Sequence, residues 1–165
     1  MLELLILLVL LEEKNTIYGI RQKIEKRFSL FMKVSFGALH PALKKLEKSK
    51  RVSVNSRITV GGQRKLLYSI TASGKNYFTS LMTENLPENP ALASQLINIK
   101  IMAISKIDSE LQKQVIKSIL TRLKYQKAES LKLLNTFDEI NETIQRKFIK
   151  NYIQKISDDI QWLGA

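Results

Sequence analysis

The residues best placed to do chemistry in this chain are cations, and their chemistry is binding rather than turnover. Arg64 and Lys65 follow Gly61, Gly62 and Gln63 in the stretch GGQRKLLYSITASG at 61–74, so positive charge sits at the tip of a slim turn. Lys44, Lys45 and Lys48 recur within one segment that starts at Ser35 and also holds Ala38 and the sole histidine, His40. Taken alone, Lys44, Lys45 and Lys48 suit a solvated helix face and Arg64 and Lys65 a blunted hairpin edge; a basic turn beside a basic helix favours phosphate contacts instead, with short side chains that permit close approach to a polyanion.

The residue sets that carry catalysis are missing. No Ser-His-Asp arrangement, phosphate-binding glycine loop, HExxH pair or paired carboxylates near a cleft is present, so no enzyme, catalytic residue or cofactor is expected. Asp158 and Asp159 fall on a helix and are expected to be solvated or at an interface. The chain has no cysteine, and His40 alone cannot build a metal site.

The 165 residues carry a net charge of +12. Residues 1–80 hold 15 basic and 5 acidic residues, against 12 and 10 in residues 81–165, which makes the first half the polyanion binder. The opening MLELLILLVLL is interrupted by Glu3 and ends at Glu12, well short of the ~20 residues of a spanning helix. It lacks a basic leader and a cleavage site, so a buried core helix is expected in a cytoplasmic protein with no membrane partner.

These residues need elements to position them. Residues 2–13 read as a short helix, apolar on most of its circumference. Thr16 opens a second helix with the stripe Ile17, Ile20, Ile24 and Phe28. Ser35 caps a third, whose buried stripe is Phe36, Leu39, Leu43 and Leu46 and whose opposite face carries Gly37, Ala38, Pro41, Lys44, Lys45 and Lys48. Pro41 is expected to be a tolerated irregularity. Residues 52–58 and 64–70 form strands joined at Gly61 and Gly62, and Thr71 caps a fourth helix ending near Met82.

The fold class is therefore mainly α with a small β-hairpin. A winged helix-turn-helix spans 1–83, a Pro- and Asn-rich linker 84–90, and a helical domain 91–165. In that domain helices are expected at 91–104, from a cap at Asp108 to about Asn135, and from about Asp138 to Leu163. Ile149, Ile153, Ile156, Ile160 and Leu163 follow a 4-3-4-3 spacing, a seam that calls for a partner helix; with Trp162 as anchor it suits a homodimer interface, though packing within one chain is the alternative.

The segments YGI, GALHPALKKLEK, GGQRKLLYSITASG and DDIQWL resemble the PadR family of bacterial transcriptional regulators, in its branch with a longer, multi-helix C-terminal part. The resemblance implies a homodimer that binds a pseudopalindromic operator, represses transcription and, in some members, releases DNA when an effector binds. The family usually has Tyr where His40 stands and Gly where Lys50 stands. His40 is thus either a partly buried stand-in for an aromatic ring or a phosphate contact, and Lys50 suggests an altered turn.

The expected function is sequence-specific binding of double-stranded DNA in transcription regulation. Ser35, Ala38 and His40 would lie near base edges; Lys44, Lys45, Lys48, Gln63, Arg64 and Lys65 would lie near phosphates. The alternative is an interaction adaptor whose basic half meets an acidic protein surface.

Overall fold

The computed structural model describes residues 1–58, 62, 64–137 and 144–165. Gly61 of the expected turn, Gln63, and Asp138 at the expected start of the last helix lie outside the described residues. The chain forms two compact units, one of Met1–Glu84 with Ser94–Asp108, the other of Asn85–Ala93 with Ser109–Ala165.

The first unit is built around α1 (Leu2–Glu12), in which every residue from Leu4 to Leu10 is buried. A helix that is apolar all round has no face to give to solvent, and α2 (Ile17–Phe28), α3 (Phe36–Lys48) and α4 (Ala72–Thr83) pack around it. Thr16 starts α2 by accepting the Gly19 amide at 3.1 Å, and Ile20, Ile24 and Phe28 fill the core beneath it. Ser35 starts α3 by accepting the Ala38 amide at 3.2 Å, and Leu39, Leu43 and Leu46 are buried.

Pro41 leaves α3 continuous, because the bond it removes would have reached the carbonyl of Gly37 on the exposed face. Phe36, expected in the buried stripe, is instead exposed. It stands in the first turn at the edge of that stripe, where its ring stacks on Tyr18 at 6.2 Å and lies 4.5 Å beneath the Arg21 guanidinium.

The turn after α3 also departs from expectation, since Lys50 does not alter it. The Arg51 amide donates to the Leu46 carbonyl at 2.9 Å and the Lys50 amide to Glu47 at 2.8 Å, the paired bonds of a Schellman cap. Lys50 takes the left-handed conformation itself, with φ 57.

The strands β1 (Val52–Ile58) and β2 (Arg64–Ile70) pair antiparallel, from Val52 opposite Ile70 out to Ile58 opposite Arg64. Asn15 joins the free edge of β2 through two backbone bonds with Tyr68, at 3.0 and 2.8 Å, which ties the hairpin to the entry of α2. Val52 and Tyr68 are buried, but the apolar alternation continues past the core and leaves Leu66 and Ile58 exposed. Thr71 ends the hairpin, accepting the Gly74 amide at 3.0 Å and donating to the Lys50 carbonyl at 2.8 Å. Gly74 has no room for a side chain, because a Cβ would fall 2.0 Å from the Arg51 carbonyl oxygen.

Helix α5 (Pro90–Ala103) begins with Asn89 Oδ1 accepting the amides of Ala91 and Leu92 at 3.0 and 3.1 Å. Its Lys100 is buried and donates to the Glu84 carbonyl at the end of α4; burial pulls the lysine pKa down, against the charge of Glu84.

In the second unit α6 (Ser109–Leu134) follows directly on Asp108 and packs against α7 (Ile144–Gly164). Val115, Ile119 and Leu123 of α6 and Ile149 and Ile156 of α7 are buried. Arg146 donates to the Phe137 carbonyl at 2.7 Å, bridging back to the residues that end α6.

Candidate nucleic-acid interface

Ser35, Ala38, His40, Lys44, Lys45 and Lys48 are all exposed along α3. At ~100° per residue, Gly37, Pro41, Lys44 and Lys48 form the middle of that face, while His40 lies on one flank and Ala38 and Lys45 on the other. Small residues in the first turns and lysines further along give a face that a DNA groove can approach closely.

The flank that carries Lys45 is partly engaged. Lys45 Nζ lies 2.7 Å from Glu3 Oε1, and Tyr77 donates its hydroxyl to Glu3 Oε2 at 2.6 Å. The Arg51 guanidinium lies 3.2 Å over the Tyr77 ring and 4.0 Å from the same carboxylate. Burial pushes the Glu3 pKa up, but the bonds from Lys45 and Tyr77, with the charges of Lys45 and Arg51, outweigh it and hold the carboxyl below its ordinary value. The hydrogen bond to Glu3, with its charge, raises the Lys45 pKa in turn.

At the wing, Arg64 and Lys65 are exposed, and Arg64 Nε donates to Ser56 Oγ at 2.7 Å. Gly62 adopts φ 75, and a Cβ added there would meet nothing within 4 Å. Directly opposite Lys65 stands Arg57, also exposed. Like charges across an antiparallel pair destabilise it, so this register spends hairpin stability on a concentrated positive face. Arg57 was not singled out from sequence; pairing the two strands outward from the glycine turn would have found it.

His40 lies exposed in a groove of about 430 Å³ walled by α2, α3 and β2, with Tyr18, Lys65, Leu66 and Tyr68 among its lining. The buried-ring alternative for His40 is therefore set aside. Tyr18 is a further exposed residue at this face that its place in the stretch TIYGI did not reveal, because the buried stripe of α2 runs beside it.

Of the residues expected at a dimer interface, Ile149 and Ile156 are buried within the second unit, and Ile153, Ile160 and Leu163 are partly covered. Trp162 is exposed, its Nε1 donating to Asp159 at 3.1 Å. Phe148 and Tyr152 are also exposed, one turn apart on the same helix. Among the described residues, no helix is long and apolar enough to cross a membrane.

A helix-turn-helix followed by a basic hairpin defines a winged-helix protein. Residues 6–80 match the transcriptional regulator PadR-like family. Among solved structures, Bacillus subtilis PadR in complex with operator DNA is 16% identical, with a TM-score of 0.50 over 99% of this chain and 94% of that one. A PadR-like transcriptional regulator from Bacillus cereus is 19% identical, with a TM-score of 0.45 over 99% and 94%. A Streptococcus mutans protein is 20% identical, with a TM-score of 0.47 over 98% and 95%. No curated protein matches the chain.

Proposed function

We propose that the chain is a sequence-specific double-stranded DNA-binding regulator, which represses transcription by binding a pseudopalindromic operator as a homodimer. The observation that carries this reading is the doubled cation of the wing, Arg57 opposite Lys65, on the same unit as the exposed lysine face of α3. A hairpin that keeps two like charges face to face suits a polyanion. The crystallised Bacillus subtilis PadR, which shares the fold, is bound to operator DNA, and that supports the same partner here.

In this reading α3 enters the major groove, with Ser35, Ala38 and His40 near base edges, while Lys44, Lys45, Lys48, Arg57, Arg64 and Lys65 hold phosphates. Phosphate contacts give affinity and register; with no arginine or asparagine on the exposed face of α3, part of the specificity falls to DNA shape. The helices of the second unit pair two copies. Because Ile149 and Ile156 are used within the chain, the pairing surface centres on Trp162, Phe148 and Tyr152 with the half-covered Ile153, Ile160 and Leu163. An effector that binds this unit would alter the half-site spacing and release DNA. A groove of about 600 Å³ in the second unit, lined by Lys117, Arg122 and Tyr125, has the size of a small-molecule seat.

The test is a gel-shift titration of duplex DNA from the region upstream of the chain's own coding sequence, against scrambled competitor, at two salt concentrations. Competitor-resistant binding that weakens steeply with salt supports the reading. Binding that scrambled DNA abolishes overturns operator recognition there and favours an adaptor that meets an acidic protein.

A further inference from the structure

We propose that the groove along α6 in the second unit binds a phosphate monoester of a small sugar or polyol, the phosphate held by Lys117 and Arg122 and the hydroxyls by Thr121, Ser118, Gln114 and Asn85. The site deepens the effector reading above and rests on it only for its consequence for DNA, since binding itself needs nothing beyond this unit.

The lining repeats along one side of the helix. From Gln114 through Lys117, Ser118, Thr121 and Arg122 to Tyr125 the steps are of three and one residues in turn. At ~100° per residue these side chains share one polar stripe, next to the buried stripe of Val115, Ile119 and Leu123. Asn85 and Leu86, from the segment that precedes α5, close the other side. A polar helix face that served only solvent would need no second wall, and the enclosed volume of about 600 Å³ suits a small organic molecule.

Charge sets the class of ligand. Among the described residues Lys117 and Arg122 have no carboxylate partner, whereas Lys113, one turn back, is paired with Glu110. Arg122 is held in place, its Nη2 donating to the Glu88 carbonyl at 2.6 Å and its guanidinium 5.7 Å from the Tyr125 ring. Its Nε–H, by contrast, is shut from solvent and has no acceptor among the described residues. A buried donor without a partner is costly, and a small turn of the guanidinium toward the groove would give it to a phosphate oxygen. Two cations, one of them a planar fork, match the double charge of a phosphate monoester better than the single charge of a carboxylate.

The other side chains call for hydroxyls. Thr121 already donates its own to the Lys117 carbonyl at 2.9 Å, so toward the groove it can only accept. An unprotonated phosphate oxygen cannot satisfy it, whereas a sugar hydroxyl can. Ser118, Gln114 and Asn85 accept as well as donate, and Leu86 and the Tyr125 ring offer carbon surface to the face of a sugar. Because the Arg122 guanidinium also ties down the Glu88 carbonyl, a ligand that draws on it reaches the connection between α4 and α5.

Isothermal titration calorimetry of the full chain, without DNA, tests the seat with glycerol 3-phosphate, ribose 5-phosphate and glucose 6-phosphate, beside inorganic phosphate and glucose. At least one of the three esters should bind at one site per chain, about tenfold or more tighter than inorganic phosphate, and weaken with salt. Lys117→Gln, at an exposed position, should cost about tenfold, and Arg122→Lys, which keeps the charge but loses the fork, about as much. Thr121→Val should shrink the preference for the ester over inorganic phosphate. Esters that bind no better than inorganic phosphate, or ester binding that Lys117→Gln leaves unchanged, overturn the seat. Repeating the gel shift with the bound ester keeps the two readings apart: ester binding by a chain that ignores duplex overturns the DNA-binding reading and supports the seat, and ester binding that leaves duplex affinity unchanged supports the seat and removes its role as effector.

Discussion

Arg57 stands directly across from Lys65 in the wing, two exposed cations in register on one face of the hairpin. Such a pair costs the hairpin up to about 1 kcal/mol, and the cost is recovered only when a polyanion lies against it. Arg57→Thr should therefore leave the melting temperature unchanged or slightly raised. The same change should weaken duplex binding on every sequence tested and reduce the salt slope by ~0.9. Thermal melts beside salt-titrated binding curves check both halves, and a steady slope would remove Arg57 from the interface.

Lys45 offers a second test, because its ammonium already has a partner. With Glu3 at 2.7 Å, the lysine can serve a phosphate only by sharing or leaving that carboxylate. Glu3→Gln keeps an oxygen for the Tyr77 hydroxyl and removes the competing charge. Duplex affinity should rise about two- to fivefold at low salt, and Lys45→Ala in the same background should cancel the gain. A gain that survives Lys45→Ala would assign the effect to the lost charge of Glu3 alone.

The turn after α3 predicts a stabilising change. Lys50 holds φ 57, a conformation that costs a residue with a Cβ about 1–2 kcal/mol, while glycine gives back about 0.5–1 through the freer unfolded chain. Lys50→Gly should thus stabilise the chain by about 0.5–1 kcal/mol in urea melts. Replacement by the β-branched Val, which tolerates positive φ least, should destabilise it.

These cases mark where the sequence is legible and where it is not. Thr16, Ser35 and Thr71 announce their helices because capping needs a hydroxyl one residue before an apolar stripe, and that signal is local. The core of α1 is equally plain, since a run of apolar residues has nowhere to go but inside. Phe36 escapes such reasoning because it stands at the end of its stripe, where the periodicity puts it inside but the first turn reaches the surface. Arg57 needs strand register, and the partnership of Lys45 with Glu3 joins residues that only the tertiary fold brings together. The stripe of α7 could be read for spacing but not for partner, because a 4-3-4-3 seam fits a helix of the same chain as well as one from a second copy.

Glu12 at the end of α1 gives the chain an acid-sensitive tether. Arg27 holds its carboxylate through two hydrogen bonds, one of them at 2.9 Å, and Lys106 approaches at 3.3 Å. The hydrogen bonds from Arg27, opposed by burial and aided by Lys106, lower the Glu12 pKa from 4.5 to about 2. The unfolded carboxyl takes up its proton near 4.5 and the folded one only near 2, so between these values the unfolded state binds more protons and stability falls as pH falls. The tether is therefore complete above pH 4.5 and lost by about pH 2. Because the pair faces solvent, its contribution should be at most about 1 kcal/mol. Urea melts of the unmodified chain and of Glu12→Gln should differ by that amount at pH 6 and converge as the pH drops through this window. A gap that stays constant down to pH 2 would show that Glu12 stabilises by packing instead of by charge.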